Sequence, residues 1–87
     1  MQETINEQVS VIAAFAPSER GATHVVPHVM LWGGKRYRME KMGLYFPERQ
    51  GTKRIHIFSF LSEGTTFRLE LDPETLLWTL VEAYYES

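Results

Sequence analysis

Three histidines, His24, His28 and His56, are the only side chains besides carboxylates that could hold a metal in this chain of 87 residues, which has no cysteine. His24 and His28 are four apart, but Pro27 lies between them and excludes a helical ligand pair. In a strand they share a face about 13 Å apart, too far to close on one ion. No metal or cofactor is therefore expected. Nucleophiles fare no better. Ser59 lies between Phe58 and Phe60 in an apolar run, without the strand-turn-helix setting that exposes a catalytic serine. Gly33-Gly34-Lys35 lacks the spacing and the helix of a phosphate loop, and the carboxylates are scattered singly. The chain reads as non-catalytic.

Charge is more informative. The formal net charge is −2, yet seven of the nine basic residues (Lys35, Arg36, Arg38, Lys41, Arg49, Lys53 and Arg54) fall in one stretch with only Glu40 and Glu48 against them. That stretch carries +5 and the remainder −7. Trp32, Tyr37, Tyr45 and Phe46 are interleaved with it. Basic side chains meet anionic partners, and aromatic faces beside them can stack bases. The expected binding face comprises Trp32, Lys35, Arg36, Arg38, Lys41, Tyr45 and Arg54, with a protein or other acidic partner as its target. Single-stranded nucleic acid is the alternative, with Arg36, Arg38 and Lys41 on phosphates and Trp32 or Tyr45 stacking. The overall pI of about 5.9 lies below that of dedicated nucleic-acid binders.

The elements that must position these residues are punctuated by turns. Pro17 to Ala22, Gly33-Gly34, Pro47 to Thr52, Ser62 to Thr65 and Asp72 to Thr75 bracket apolar stretches of strand length. Gln8 to Ala16 is largely apolar on both faces, as in a central or doubly covered strand. Pro27 places the start of the next strand at an edge or a bulge. Gly33-Gly34 predicts a tight hairpin, because type I′ and II′ turns need positive φ. Tyr37 and Met39 alternate with Arg36, Arg38 and Glu40, and Gly43 switches the phase as a β-bulge does. Phe67, Leu69 and Leu71 set against Arg68 and Glu70 form a half-buried strand. The last segment is ambiguous. Asp72-Pro73-Glu74 is a good helix start, yet Leu76, Trp78 and Leu80 alternate like a strand.

The string Pro27, Leu31-Trp32-Gly33-Gly34-Lys35-Arg36-Tyr37-Arg38, then Phe58, Gly64, Phe67, Leu69, Leu71, Asp72, Trp78 and Leu80 resembles a small bacterial domain of unknown function. Some members of that family are encoded near Y-family DNA polymerases. The chain departs from its pattern at Leu31, where an aromatic is usual, and at Tyr45 or Phe46 in place of a tryptophan. The resemblance implies that Trp78-x-Leu80 pairs as a strand, and it carries no catalytic residues over. The fold expected is all-β, an antiparallel meander or small open barrel of five to six strands, with α+β and a helix over 75–85 as the alternative. Residues 1–7 are expected as a flexible lead-in and 8–87 as the single domain. The polar, acidic start and the absence of any apolar run near membrane-spanning length suggest a cytoplasmic protein.

Overall fold

A computed structural model describes residues 1–17 and 23–85. Seven strands form one antiparallel sheet: β1 (Gln2–Pro17), β2 (Thr23–Trp32), β3 (Lys35–Arg38), β4 (Lys41–Gln50), β5 (Lys53–Ser62), β6 (Thr65–Leu71) and β7 (Trp78–Tyr85). The spatial order is β3-β2-β1-β7-β6-β5-β4. The all-β class and the strand at Trp78–Tyr85 are as expected; the strand count is seven rather than five or six. Residues 2–7, expected as a lead-in, are instead the first half of β1. They pair with β7 from Gln2↔Tyr84 to Glu7↔Leu80. Their polar side chains concealed this, because a strand with only Ile5 partly buried shows no apolar alternation. The turn expected over Pro17 to Ala22 lies outside the described residues from Ser18 onward.

The two outermost strands, β3 and β4, are consecutive in sequence and separated by only Met39 and Glu40. The Met39 amide donates to the His28 carbonyl of β2 (3.0 Å), and the Glu40 amide donates to the Leu61 carbonyl of β5 (3.0 Å). One nearly continuous strand therefore changes partners across the two sheet edges and curls the sheet into a half-barrel. The closed end is fastened by Lys35 to Glu63 (2.9 Å) and by the Glu40 carboxylate accepting from the Glu63 amide (2.8 Å). Toward the other end β2 and β4 diverge. The Thr23–Pro27 half of β2 pairs with β1 alone, and β4 pairs with β5 alone.

Inside lie Met30, Phe58, Phe60, Phe67, Leu69, Leu71, Trp78, Leu80 and Ala83, all buried. Each large apolar side chain removed from water contributes about 1.5–3 kcal/mol. Phe60 stacks on Phe67 with centroids 5.4 Å apart. The local signals explain the shape. Gly33 and Gly34 both have positive φ (59° and 76°), the requirement of a type I′ turn between Trp32 and Lys35. Opposite Ile12 and Ala13 the register skips His28, so Pro27 does sit beside a bulge. A second bulge falls between Met42 and Tyr45, at Gly43. A Cβ on Gly43 would lie 2.8 Å from Ser59 Oγ, and that hydroxyl accepts a hydrogen bond from the Leu44 amide (2.9 Å). The Asp72 turn is not a helix start. Its carboxylate accepts from the Glu74 amide (2.9 Å), Leu76 takes a positive φ of 61°, and the chain returns into β7.

Candidate interaction surface

Register sorts every strand residue to the core side or the outer side. On β3, Lys35 and Tyr37 share the inner face with Trp32 and Met30, while Arg36 and Arg38 face outward opposite Leu31 and Val29. The outer rows continue onto β1 as Ser10–Leu31–Arg36 and Ile12–Val29–Arg38. Val26, opposite Ala14, extends the same face. Ile12, Val26 and Leu31 are exposed at 47%, 45% and 38%. The outcome is an apolar stripe bordered by two arginines about 6–7 Å apart along the edge strand. Lys41, opposite the outward Leu61, continues the line of cations. Among the described residues no acidic side chain occupies the two rows; Glu40, between Arg38 and Lys41, turns its carboxylate to the Glu63 amide, and the ion pairs engage only Lys35, Lys53 and Arg68 on the basic side.

The remaining residues expected at the binding face are placed elsewhere. Trp32 is half-buried on the inner face, packed on Tyr37 (5.9 Å between centroids) and edge-on to Phe67 (6.3 Å). Its Nε1 donates to the Glu7 carboxylate (3.0 Å). Lys35, beside it, lies over the Tyr37 ring (5.1 Å) and is held by Glu63, whose hydrogen bond and charge raise its pKa. Tyr45 belongs to the open end. Its hydroxyl is 2.7 Å from His56 Nδ1, and the two rings are stacked. Burial, and secondarily the Arg54 guanidinium, push His56 below the ordinary imidazole value. Arg54 is exposed directly opposite Arg49. The seven residues thus divide among three places: Trp32 and Lys35 at the closed end, Tyr45 and Arg54 at the open end, and Arg36, Arg38 and Lys41 on the outer face. Ile12, Val29 and Leu31 complete that surface and went unrecognised in the sequence, because their exposure depends on which strands curl inward.

A second concavity of about 300 Å³ lies on the outer side of β4–β7, walled by Leu44, Phe46, Ile57 and Tyr84. Arg68 crosses it with its guanidinium 5.9 Å from the Phe46 ring and its charge matched by Glu82 (3.7 Å) and Glu48 (4.0 Å). This hollow is apolar but electrically balanced, unlike the β1–β3 face. Among the described residues no three His, Asp or Glu side chains gather to hold a metal ion. Comparison with protein-family models, curated proteins and solved structures returned no match.

Proposed function

We propose that the protein is a non-catalytic binding module whose β1–β3 outer face docks an acidic, partly apolar segment of a partner protein. The single observation that carries this reading is the surface, without an acidic side chain in its rows among the described residues, on which Ile12, Val26 and Leu31 stand exposed beside Arg36 and Arg38. An apolar centre with cations along one border supports recognition of an amphipathic acidic segment. The apolar contact supplies affinity, and the arginines supply orientation and encounter rate. Nucleic acid is the weaker alternative. Of the two aromatics expected to stack bases, Trp32 packs toward the core on Tyr37 and Tyr45 is engaged by His56.

The test is a titration with a synthetic peptide of alternating leucine and glutamate, followed by amide chemical shifts. Shifts are expected at Ile12, Val29, Leu31, Arg36 and Arg38, with affinity falling about tenfold or more in Arg36→Glu/Arg38→Glu and weakening with salt. Tighter binding of a single-stranded oligonucleotide than of the peptide would replace this reading with the nucleic-acid one. Shifts confined to other faces would end both.

A further inference from the structure

The open end of the half-barrel presents a different chemistry on its inner face. Counting back along the β4–β5 ladder, the pairs Arg49↔Arg54, Pro47↔His56 and Tyr45↔Phe58 all point to the side of the buried Phe58. The Gln50↔Lys53 pair closes a two-residue hairpin and is hydrogen-bonded. Arg49↔Arg54 is therefore a non-hydrogen-bonded pair, the geometry in which opposite side chains stand closest. Like charges directly opposed are unfavourable on their own. Both arginines are exposed, and neither takes part in an ion pair among the described residues. The acids beside this hairpin are engaged elsewhere. Glu48 faces outward to Arg68, and Asp72 and Glu74 hold Lys53.

Deeper on the same face, polarity falls in steps. After the arginines comes the Tyr45–His56 pair, with its hydroxyl-to-ring-nitrogen contact of 2.7 Å. Beyond it is a slot of about 190 Å³ lined by Val25, Met42, Tyr45 and Phe58, with the β2 edge at His24 and Val26 forming its rim. Phe58 in turn packs on Trp78, with ring centroids 5.6 Å apart. Two-residue steps along β5 place the arginine head about 13 Å from the apolar end. The slot lies between the two strand edges that have no partner on that side, β4 and the first half of β2.

We propose that this mouth binds a small amphiphile with an anionic head, its head between Arg49 and Arg54, its apolar body on Val25, Met42 and Phe58. The cations supply the charge complement, and the pair of opposed arginines matches the two oxygens of a carboxylate or phosphate. The small volume selects a short alkyl chain or one aromatic ring, since larger ligands occupy cavities of about 300–1,000 Å³. The Tyr45–His56 pair lies alongside the head with hydrogen-bonding capacity to spare, because the second imidazole nitrogen has no hydrogen-bond partner among the described residues.

The experiment uses the full chain and four probes: sodium octanoate, octyl phosphate, octanol and octyltrimethylammonium. Binding is read by calorimetry and by Trp78 fluorescence, with Trp32→Phe removing the second indole. Saturable binding of octanoate or octyl phosphate is expected, with the cation excluded and octanol weaker. Arg49→Gln/Arg54→Gln is expected to weaken the anions about tenfold, and Val25→Trp to block them by filling the slot. Arg36→Gln/Arg38→Gln serves as the control that leaves this binding unchanged. A preference for octanoate over octyl phosphate, or the reverse, identifies the head. Equal binding of anionic and cationic probes, indifference to the Arg49/Arg54 pair, or no saturation at up to about 10 mM would each overturn the proposal.

Discussion

Gly43 and Ser59 form a tightly constrained contact between single residues. The glycine has no Cβ because Ser59 Oγ already occupies that space, 2.8 Å from where one would stand. The same hydroxyl satisfies the Leu44 amide left over by the bulge. Gly43→Ala is expected to cost about 1–3 kcal/mol by forcing this contact apart. Ser59→Ala should cost about 1 kcal/mol by leaving the Leu44 amide without its acceptor. The two changes are not independent. Removing the hydroxyl makes room for the methyl group, so the double variant should be less destabilised than the two losses added, as denaturant unfolding would show. His56 supports a second prediction at this scale. Its folded pKa lies below the ordinary value of 6.5, chiefly through burial. Between the lowered value and 6.5 the unfolded chain binds more protons than the folded one, so stability rises with pH there. This contribution is complete above that window and is lost as pH falls through it. Urea midpoints measured from about pH 7 down to pH 5 should fall less steeply for His56→Gln than for the natural chain. Parallel curves would mean that His56 titrates alike in both states.

Among the elements, β4 is an edge strand with every residue exposed, including Leu44 at 66% and Tyr45 at 51%. Such an edge invites pairing with another chain. Pro47 guards it. As a member of a non-hydrogen-bonded pair with His56, it lacks the amide that would otherwise point away from β5. Pro47→Val restores that donor beside three exposed apolar residues, and concentration-dependent self-association in sedimentation is the expected outcome. A monomer at the same concentrations would show that something else protects the edge. The strands whose residues alternate cleanly were legible in the sequence. Phe67, Leu69 and Leu71 against Arg68 and Glu70, the Gly33-Gly34 hairpin and the Gly43 bulge each carry a local physical signature. Residues 2–7 were not legible, because β1 there is held by backbone pairing to β7 with polar side chains on both faces. The candidate surface was half legible. The clustering of basic residues marked Arg36, Arg38 and Lys41, but alternation alone could not show that Trp32 and Lys35 turn inward while Arg36 and Arg38 turn outward. That depends on which side of the sheet curls closed.

For the whole molecule, the mild net charge of −2 resolves into separate fields on an object 41 × 27 × 22 Å. The line Arg36, Arg38, Lys41 lies along the outside of the closing strand, while Arg49 and Arg54 lie at the open mouth on the inner side. In β4 alone, Lys41 and Arg49 are separated by about 26 Å of extended chain, so a partner of ordinary size at one group leaves the other free. The two proposed sites can therefore be lost one at a time by substitution. The direct link between β3 and β4 has a further consequence once the chain ends are considered. The Met1 ammonium group donates to the Tyr85 carbonyl (2.7 Å), and the Tyr85 amide returns a bond to the Met1 carbonyl (2.8 Å). Joining the two ends through a short linker would make β7 and β1 neighbours in sequence as they already are in space. With Met39–Glu40 joining β3 end to end with β4, every other pair of successive strands would then lie side by side, and the connectivity would become a ring without a privileged starting point. The same seven strands, opened at the Gly51 turn instead, specify the same set of neighbours.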